Sequence, residues 1–432
     1  MLTLDLTNLF TVSPDHGISQ EDITKEETRI TPYIENIHAR NQGFYTVIDD
    51  TDTVTKIESF AKERKGKHKH LVILAIGGSS LGTICLKQSL THLFSHEISS
   101  QEHPTLHILD NIDPTLIREV QDVIDLSSTL FIVVTKSGGT PEILSQYFYF
   151  RSLCDKASLN ATDHFVFVTD PKKGLLRKIG NEESIPMFDV PPTVGGRFSV
   201  QTPVGLLPAA LIGIDIRDLL KGFQSMREAF LSTEIEKNLP FQIATIQYLL
   251  RDKGKVMNVM MPYAQKLIRF SDWYRQLLAE SIGKAKNEKG ELVHTGITPI
   301  NALGVTDQHS QSQLYNEGPN DKLFFFLHVE KFGVDISIPN PSSIEEVSFL
   351  DNTTFSQLLH AEESATAMSC TKNDRPNMTI RISSVDEEHL GQLFMLFEGA
   401  TAFLGEFYGI NAFNQPGVEL SKVLTREALL NR

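Results

Sequence analysis

The stretch TKSGGT at 135–140 places three hydroxyls, one ammonium and two glycines at the end of an apolar run. Hydroxyls, a cation and backbone N–H groups that glycine frees to turn inward suit an anion, as in the nest at a helix start. Pro141 fits the first turn of a following helix, where its missing donor costs nothing. The stretch IGGSSLG at 76–82 repeats the plan earlier in the chain and adds Ser79. Two such turns at neighbouring strand ends can jointly hold one phosphate. Neither is a nucleotide fingerprint, since GxGxxG and the P-loop pattern are both missing. Two ordinary tight turns are the plain alternative for these stretches taken alone.

Four further segments hold groups for acid–base work. In SDWYRQLLAESIGK (271–284), Ser271 or Asp272 can cap a helix on which Gln276, Glu280 and Lys284 share one face. Trp273 and Leu277 line the adjoining apolar stripe, so partial desolvation can raise the basicity of Glu280. A solvated Glu280–Lys284 pair is the plainer reading of that segment by itself. The run DQHSQSQ (307–313) is dense in polar groups, and His309 offers an imidazole, a side chain suited to acid–base catalysis. TVGGRFSVQTPVG (193–205) sets Arg197 behind two glycines, where a guanidinium can approach a ligand. GINAFNQPGVELSK (409–422) brings Gln415 and Lys422. Each of these is weak alone.

These groups need elements to position them. HLVILAIGG (70–78), TLHILD (105–110), TLFIVVTK (129–136) and HFVFVTD (164–170) read as buried strands rich in β-branched residues, each ending in turn chemistry. Helix-like segments such as GTICLKQSLTHLFS separate them, a rhythm that predicts right-handed crossovers and a parallel sheet. Ligands in such sheets sit beyond the carboxyl ends of the strands, where both glycine-rich turns fall. KVMNVMMP (255–262), KLFFFLHVEK (322–331) and MTIRISS (378–384) predict a second α/β domain, with residues 204–226 linking the two.

The bulk composition narrows the function classes. The 432 residues suffice for two or three domains, and 41% hydrophobic with 22% charged residues is ordinary for a globular chain. A net charge of −14 argues against nucleic acid as a partner. The basic run KERKGKHKH (62–70) then reads as a solvated helix end and loop. Cys85, Cys154 and Cys370 are far apart, without metal-ligand spacing, and fit a reducing compartment and packing roles. The N-terminus does not read as a secretory signal, and the apolar stretch 391–410 carries Glu398 and Glu406, so a buried helix is expected rather than a membrane span. The chain reads as cytoplasmic.

Taken in order, IGGSSLG, TKSGGTPE, VGGRFSVQTPVG, QLLAESIGK, TDQHSQSQ and FNQPGVELSK resemble the motifs of the glucose-6-phosphate isomerase family, in its shorter bacterial form, from about residue 70 to the C-terminus. The resemblance implies interconversion of glucose 6-phosphate and fructose 6-phosphate with no metal or organic cofactor. It implies that Ser79, Thr135, Lys136, Ser137 and Thr140 hold the phosphate. Glu280 matches the base that moves a proton between C2 and C1 through a cis-enediol(ate), and Arg197 the cation that stabilises it. His309 and Lys422 match the ring-opening groups, and Glu142 the acid that orients the histidine. Gln276 and Gln415 match further ligand contacts, and Gly78 is expected to lie backbone-first against the substrate. The implied assembly is a homodimer in which the histidine reaches the partner's site, with no nucleic acid or membrane as partner. The implied fold is α/β: two sugar-isomerase (SIS-type) αβα domains with mainly parallel sheets, plus C-terminal helices. Residues 45–205 would form the smaller domain, and 1–44 with 206–432 the larger.

This chain departs from the family pattern at Thr135, where serine is usual, at Gly139, where threonine is common, and at Ile143, where threonine is often seen. The expected consequence is retained activity with a raised KM. A sugar-phosphate sensor without turnover, and an isomerase for mannose 6-phosphate or an amino sugar, are the competing readings. Glu280, Arg197, His309 and Lys422 together argue against a sensor, which has no need of a base.

Overall fold

The computed structural model describes residues 1–98, 102–340 and 344–431. In chain order its strands begin with β1 (Thr3–Asp5), β2 (His70–Leu74), β3 (Thr105–Leu109), β4 (Thr129–Thr135), β5 (Phe165–Thr169) and β6 (Met187–Asp189). They continue with β7 (Met257–Pro262), β8 (Lys284–Lys286), β9 (Leu292–Thr295), β10 (Thr298–Asn301), β11 (Lys322–Val329) and β12 (Asn377–Ile382). One sheet runs β3-β2-β4-β5-β6 and is parallel throughout. The second runs β1-β12-β11-β7-β10 and is parallel except for β1. β8 and β9 form a separate antiparallel pair.

The strands explain why both faces must be covered. Along β4 every residue is buried, and the period of two sends Leu130, Ile132 and Val134 into one apolar core and Phe131 and Val133 into another. β2 divides in the same way, with Leu71 and Ile73 on one side and Val72 and Leu74 on the other. In β11, Leu323, Phe325 and Leu327 join the large core while Phe324 and Phe326 face a third cluster. A parallel sheet flanked by helices on both faces is what such continuous apolar strands require.

The stretch expected as one linker, 204–226, folds into two helices, Pro203–Leu211 and Ile216–Phe230. The second packs on the long buried helix Glu387–Tyr408 at very close range. A Cβ on Gly391 would stand 2.1 Å from the Leu219 carbonyl oxygen, and one on Gly222 would stand 1.9 Å from that of Glu388. Among the described residues no helix is long and apolar enough to cross a membrane.

Glu398 sits in the middle of that long helix, fully buried, and accepts a 2.8 Å hydrogen bond from Gln201 Nε2. The same Nε2 donates to the Phe44 carbonyl at 2.8 Å, so this carboxyl underpins the segment that carries Arg197. Burial raises Glu398 well above its ordinary value of 4.5, against the lowering effect of Gln201. The folded state therefore holds a proton that the unfolded chain releases above pH 4.5. The stability linked to that proton is full below this pH and falls as pH rises toward the folded value. Glu398→Gln keeps the acceptor without the titration. Its denaturation midpoint should gain on wild type as pH rises above 4.5, read in parallel urea titrations; a pH-independent gap would contradict this.

Candidate active site

Glu280 belongs to the helix Ile268–Ile282, which buries Trp273, Tyr274, Leu277, Leu278 and Ser281 and leaves Gln276 and Glu280 half-buried on the opposite side. The helix starts earlier than the sequence suggested. A 3-10 turn over Gln265–Leu267 leads into it, so Ser271 and Asp272 lie inside the helix and cap nothing. Asp272 is instead a bridging carboxylate, accepting from Arg269 at 2.7 Å and from the Asn301 amide.

Lys284 also departs from expectation. The helix ends at Ile282, and Lys284 opens β8 instead of continuing the Gln276–Glu280 face. Its ammonium turns back and donates to the carbonyl oxygens of Glu280 at 2.6 Å and Ser281 at 2.8 Å. It is buried, so the solvated Glu280–Lys284 pair does not form.

Arg197 is only 4% exposed. Its Nε donates to Ser281 Oγ at 2.6 Å, and its Nη2 donates to the carbonyl oxygens of both Ala412 (2.5 Å) and Asn414 (3.2 Å). The nitrogen left facing the site donates to Gln415 Oε1 at 3.0 Å and contacts Glu280 Oε2 at 3.4 Å. Glu280 Oε1 in turn accepts from Gln276 Nε2 at 3.2 Å. Burial lowers the Arg197 guanidinium to about 10, partly offset by Glu280. The guanidinium is thus a fixed cation beside a half-exposed carboxylate, held by groups from the base helix and from the segment after the long buried helix.

Gly77 and Gly78 of the first turn serve protein packing. A Cβ on Gly78 would lie 2.4 Å from the Gly196 carbonyl carbon, so the contact found there is the backbone of the Arg197 turn. Gly77, at φ +60°, would bring its Cβ to 3.0 Å from Gln276 Nε2. These approaches draw the half-buried Ser79, Arg197 and the Glu280 helix together.

On the second turn, Thr135 Oγ1 lies 2.7 Å from Thr140 Oγ1 and 3.3 Å from Ser137 Oγ, a triangle of hydroxyls that the Ser137–Thr140 contact of 3.3 Å closes. The helix Pro141–Lys156 starts here with Pro141 in its first turn, as expected. Lys136 behaves differently from the sequence expectation. Its ammonium points to the carbonyl oxygens of Pro192 and Val194, each at 2.7 Å, so it ties the hydroxyl turn to the segment leading into Arg197. A Cβ on Gly139 would meet only the Ser137 carbonyl oxygen, at 4.0 Å, and Ile143 is fully buried in a core, where an apolar side chain is at home.

The remaining predicted groups stand apart. His309 is exposed and Glu142 is half-buried, and among the described residues no hydrogen bond joins them within one chain. Lys422 pairs with Glu419 at 2.7 Å on the exposed helix Glu419–Leu430. Sequence reasoning did not single out Ser281, whose position next to Glu280 was the available signal, nor the carbonyls of Ala412 and Asn414, for which no signal exists in residue type. The three cysteines are buried and unpaired, and burial pushes the Cys154 thiol up to about 11 and that of Cys370 up to about 12.

The sequence pattern of the family described as phosphoglucose isomerase matches residues 16–328 and 349–431. The chain belongs to the phosphoglucose isomerase family. A glucose-6-phosphate isomerase of Carboxydothermus hydrogenoformans is 41% identical over 100% of this chain and 95% of its own length. One of Rubrobacter xylanophilus is 36% identical over 98% of this chain and 97% of that one. Among solved structures, a hypothetical protein from Thermus thermophilus superposes with a TM-score of 0.89 at 33% identity, covering 99% of this chain and 100% of that one. A glucose-6-phosphate isomerase from Chlamydia trachomatis gives 0.81 at 22% identity over 94% and 84%, a likeness of fold alone. Two mainly parallel sheets are therefore the phosphoglucose isomerase architecture, as the resemblance implied.

Proposed function

We infer that this chain interconverts glucose 6-phosphate and fructose 6-phosphate. The observation that carries the reading is the buried Arg197 guanidinium 3.4 Å from the half-exposed Glu280 carboxylate. The proton on C2 of an aldose is weakly acidic, so its removal needs a placed base and a cation beside the oxygen that gains charge. Glu280 takes the proton from C2 and returns it to C1, while Arg197 stabilises the cis-enediol(ate) between. Ser79, Thr135, Ser137 and Thr140 hold the phosphate, joined by the backbone of Lys136. Grip at that unreactive end orients the reacting carbons. Gln276 and Gln415, already hydrogen-bonded to Glu280 and Arg197, face the same ligand.

His309 and Lys422 open the sugar ring, with Glu142 orienting the histidine. The exposure of His309 and Lys422 in one chain supports a homodimer with sites shared between subunits. The helix Glu419–Leu430 buries nothing in the single chain and exposes Leu420, Val423 and Leu424 at helical spacing, as a face awaiting a second copy would. We further place the chain in the cytoplasm, consistent with its unpaired cysteines, and assign the smaller domain to 45–205 and the larger to 1–44 with 206–432.

The test is conversion of fructose 6-phosphate by the purified chain, together with its mass in solution. Turnover by a dimer is the expected result. Binding of the sugar phosphate without conversion would favour a sensor, and preference for mannose or glucosamine 6-phosphate would reassign the substrate.

A further inference from the structure

We propose that Lys284 is a positioning residue for the isomerase reaction: its ammonium clamps the end of the base helix and supplies a second positive charge behind Glu280 and Arg197. The role rests on the reaction inferred above.

Geometry carries the assignment. Lys284 lies just past the end of the helix at Ile282, and its ammonium reaches back to the carbonyl oxygens of Glu280 at 2.6 Å and Ser281 at 2.8 Å. The last carbonyls of a helix lack intrahelical donors and carry its negative end, so a cation there satisfies both needs. The two carbonyls belong to two residues that build the site. Glu280 carries the base, and Ser281 accepts from Arg197 Nε at 2.6 Å. One ammonium therefore fixes the backbone from which the carboxylate and the anchor of the guanidinium both project.

The cost of this placement suggests that it does more than cap. Lys284 is 7% exposed, and its ammonium has no carboxylate partner within ion-pair reach among the described residues. The charged groups facing it are Glu280 on the helix and Arg197 on the glycine turn; its cross-strand neighbour on β9, Thr295, is uncharged. Burial, with Arg197 adding to it and Glu280 opposing, lowers the Lys284 amine to about 8. A purely structural cap in so dry a place would be served by an uncharged donor. A cation here favours the state in which negative charge develops next to Arg197, and that support ends when the amine loses its proton.

The experiment measures kcat and KM for fructose 6-phosphate from about pH 6 to about pH 10 for the wild type, Lys284→Gln and Lys284→Arg, with thermal midpoints for each. Lys284→Gln retains a donor and loses the charge. It should lower kcat near neutral pH about tenfold, less than removal of a direct oxyanion contact costs. KM should change by less than about threefold. Wild-type kcat should decline as pH passes about 8, where the amine loses its proton. That decline should be missing in Lys284→Gln and displaced to higher pH in Lys284→Arg. A Lys284→Gln enzyme with wild-type kcat, or one whose thermal midpoint falls while its pH profile keeps the wild-type decline, would overturn the proposal. So would a wild-type profile flat from about pH 7 to about pH 9, which needs no variant to fold. A wild type that never converts the sugar phosphate would instead overturn the reaction itself, and is told apart by the wild-type assay alone.

Discussion

Replacing Glu280 with glutamine should lower kcat by about 10²–10⁴-fold while leaving the protein folded and able to bind the sugar phosphate. The size follows from removing the only carboxylate that touches Arg197 among the described residues. The structural cost should be small for a specific reason. Gln276 donates its Nε2 to Glu280, while its own Oε1 is buried without a partner. A glutamine at 280 presents an amide, and a flip of the Gln276 amide turns that idle acceptor toward the new donor. The thermal midpoint should therefore stay close to wild type. Steady-state turnover, alongside calorimetric binding of fructose 6-phosphate, checks both halves. A variant retaining more than about a tenth of wild-type kcat would remove Glu280 as the base.

Arg197→Lys is expected to be the next most damaging change, with kcat/KM reduced about 10²–10³-fold and the thermal midpoint lowered as well. The guanidinium spreads its donors over Ser281, Glu280, Gln415 and the carbonyls of Ala412 and Asn414. An ammonium on a shorter, differently shaped stem cannot span that set. Each buried carbonyl left without a donor costs about 1–3 kcal/mol. The two effects separate in measurement, since denaturation reports the lost carbonyl contacts and kcat/KM the lost charge geometry. Because Arg197 and Glu280 act on the same developing charge, the double variant should lose far less than the product of the single losses. A strictly multiplicative loss would mean that the two side chains act in different steps.

Much of the architecture was legible from residue type. The strands read from apolar, β-branched runs all form, because a strand buried on both faces needs nothing but apolar side chains and so advertises itself. The members of the two large sheets that escaped, β1, β6 and β10, are short, and each lies at the edge of its sheet. An edge strand owes its existence to the neighbour that offers hydrogen bonds, and Thr-Leu-Asp or Met-Phe-Asp carries no local sign of that neighbour. The start of the Glu280 helix was misplaced for a related reason. Ser271 and Asp272 have the chemistry of caps, and only the fold shows the preceding turn and the bonding of Asp272 to Arg269 and Asn301.

For the site, the sequence by itself determined which groups are available: hydroxyls on one glycine turn, a guanidinium behind another, a carboxylate on an amphipathic helix and a histidine in a polar run. Residue types and their order were enough to indicate the family and the reaction, because a chemistry needs particular functional groups whatever holds them. Only the tertiary structure decided where those groups point. It turned Lys136 onto the carbonyls of Pro192 and Val194, used Gly78 to seat the Arg197 turn, and folded Lys284 back beneath Glu280. Each of these outcomes joins residues distant in the chain or on different elements, or depends on where a helix stops. Such choices are set by which backbone donors and acceptors packing leaves unpaired, a property of the assembled chain and of no segment in it.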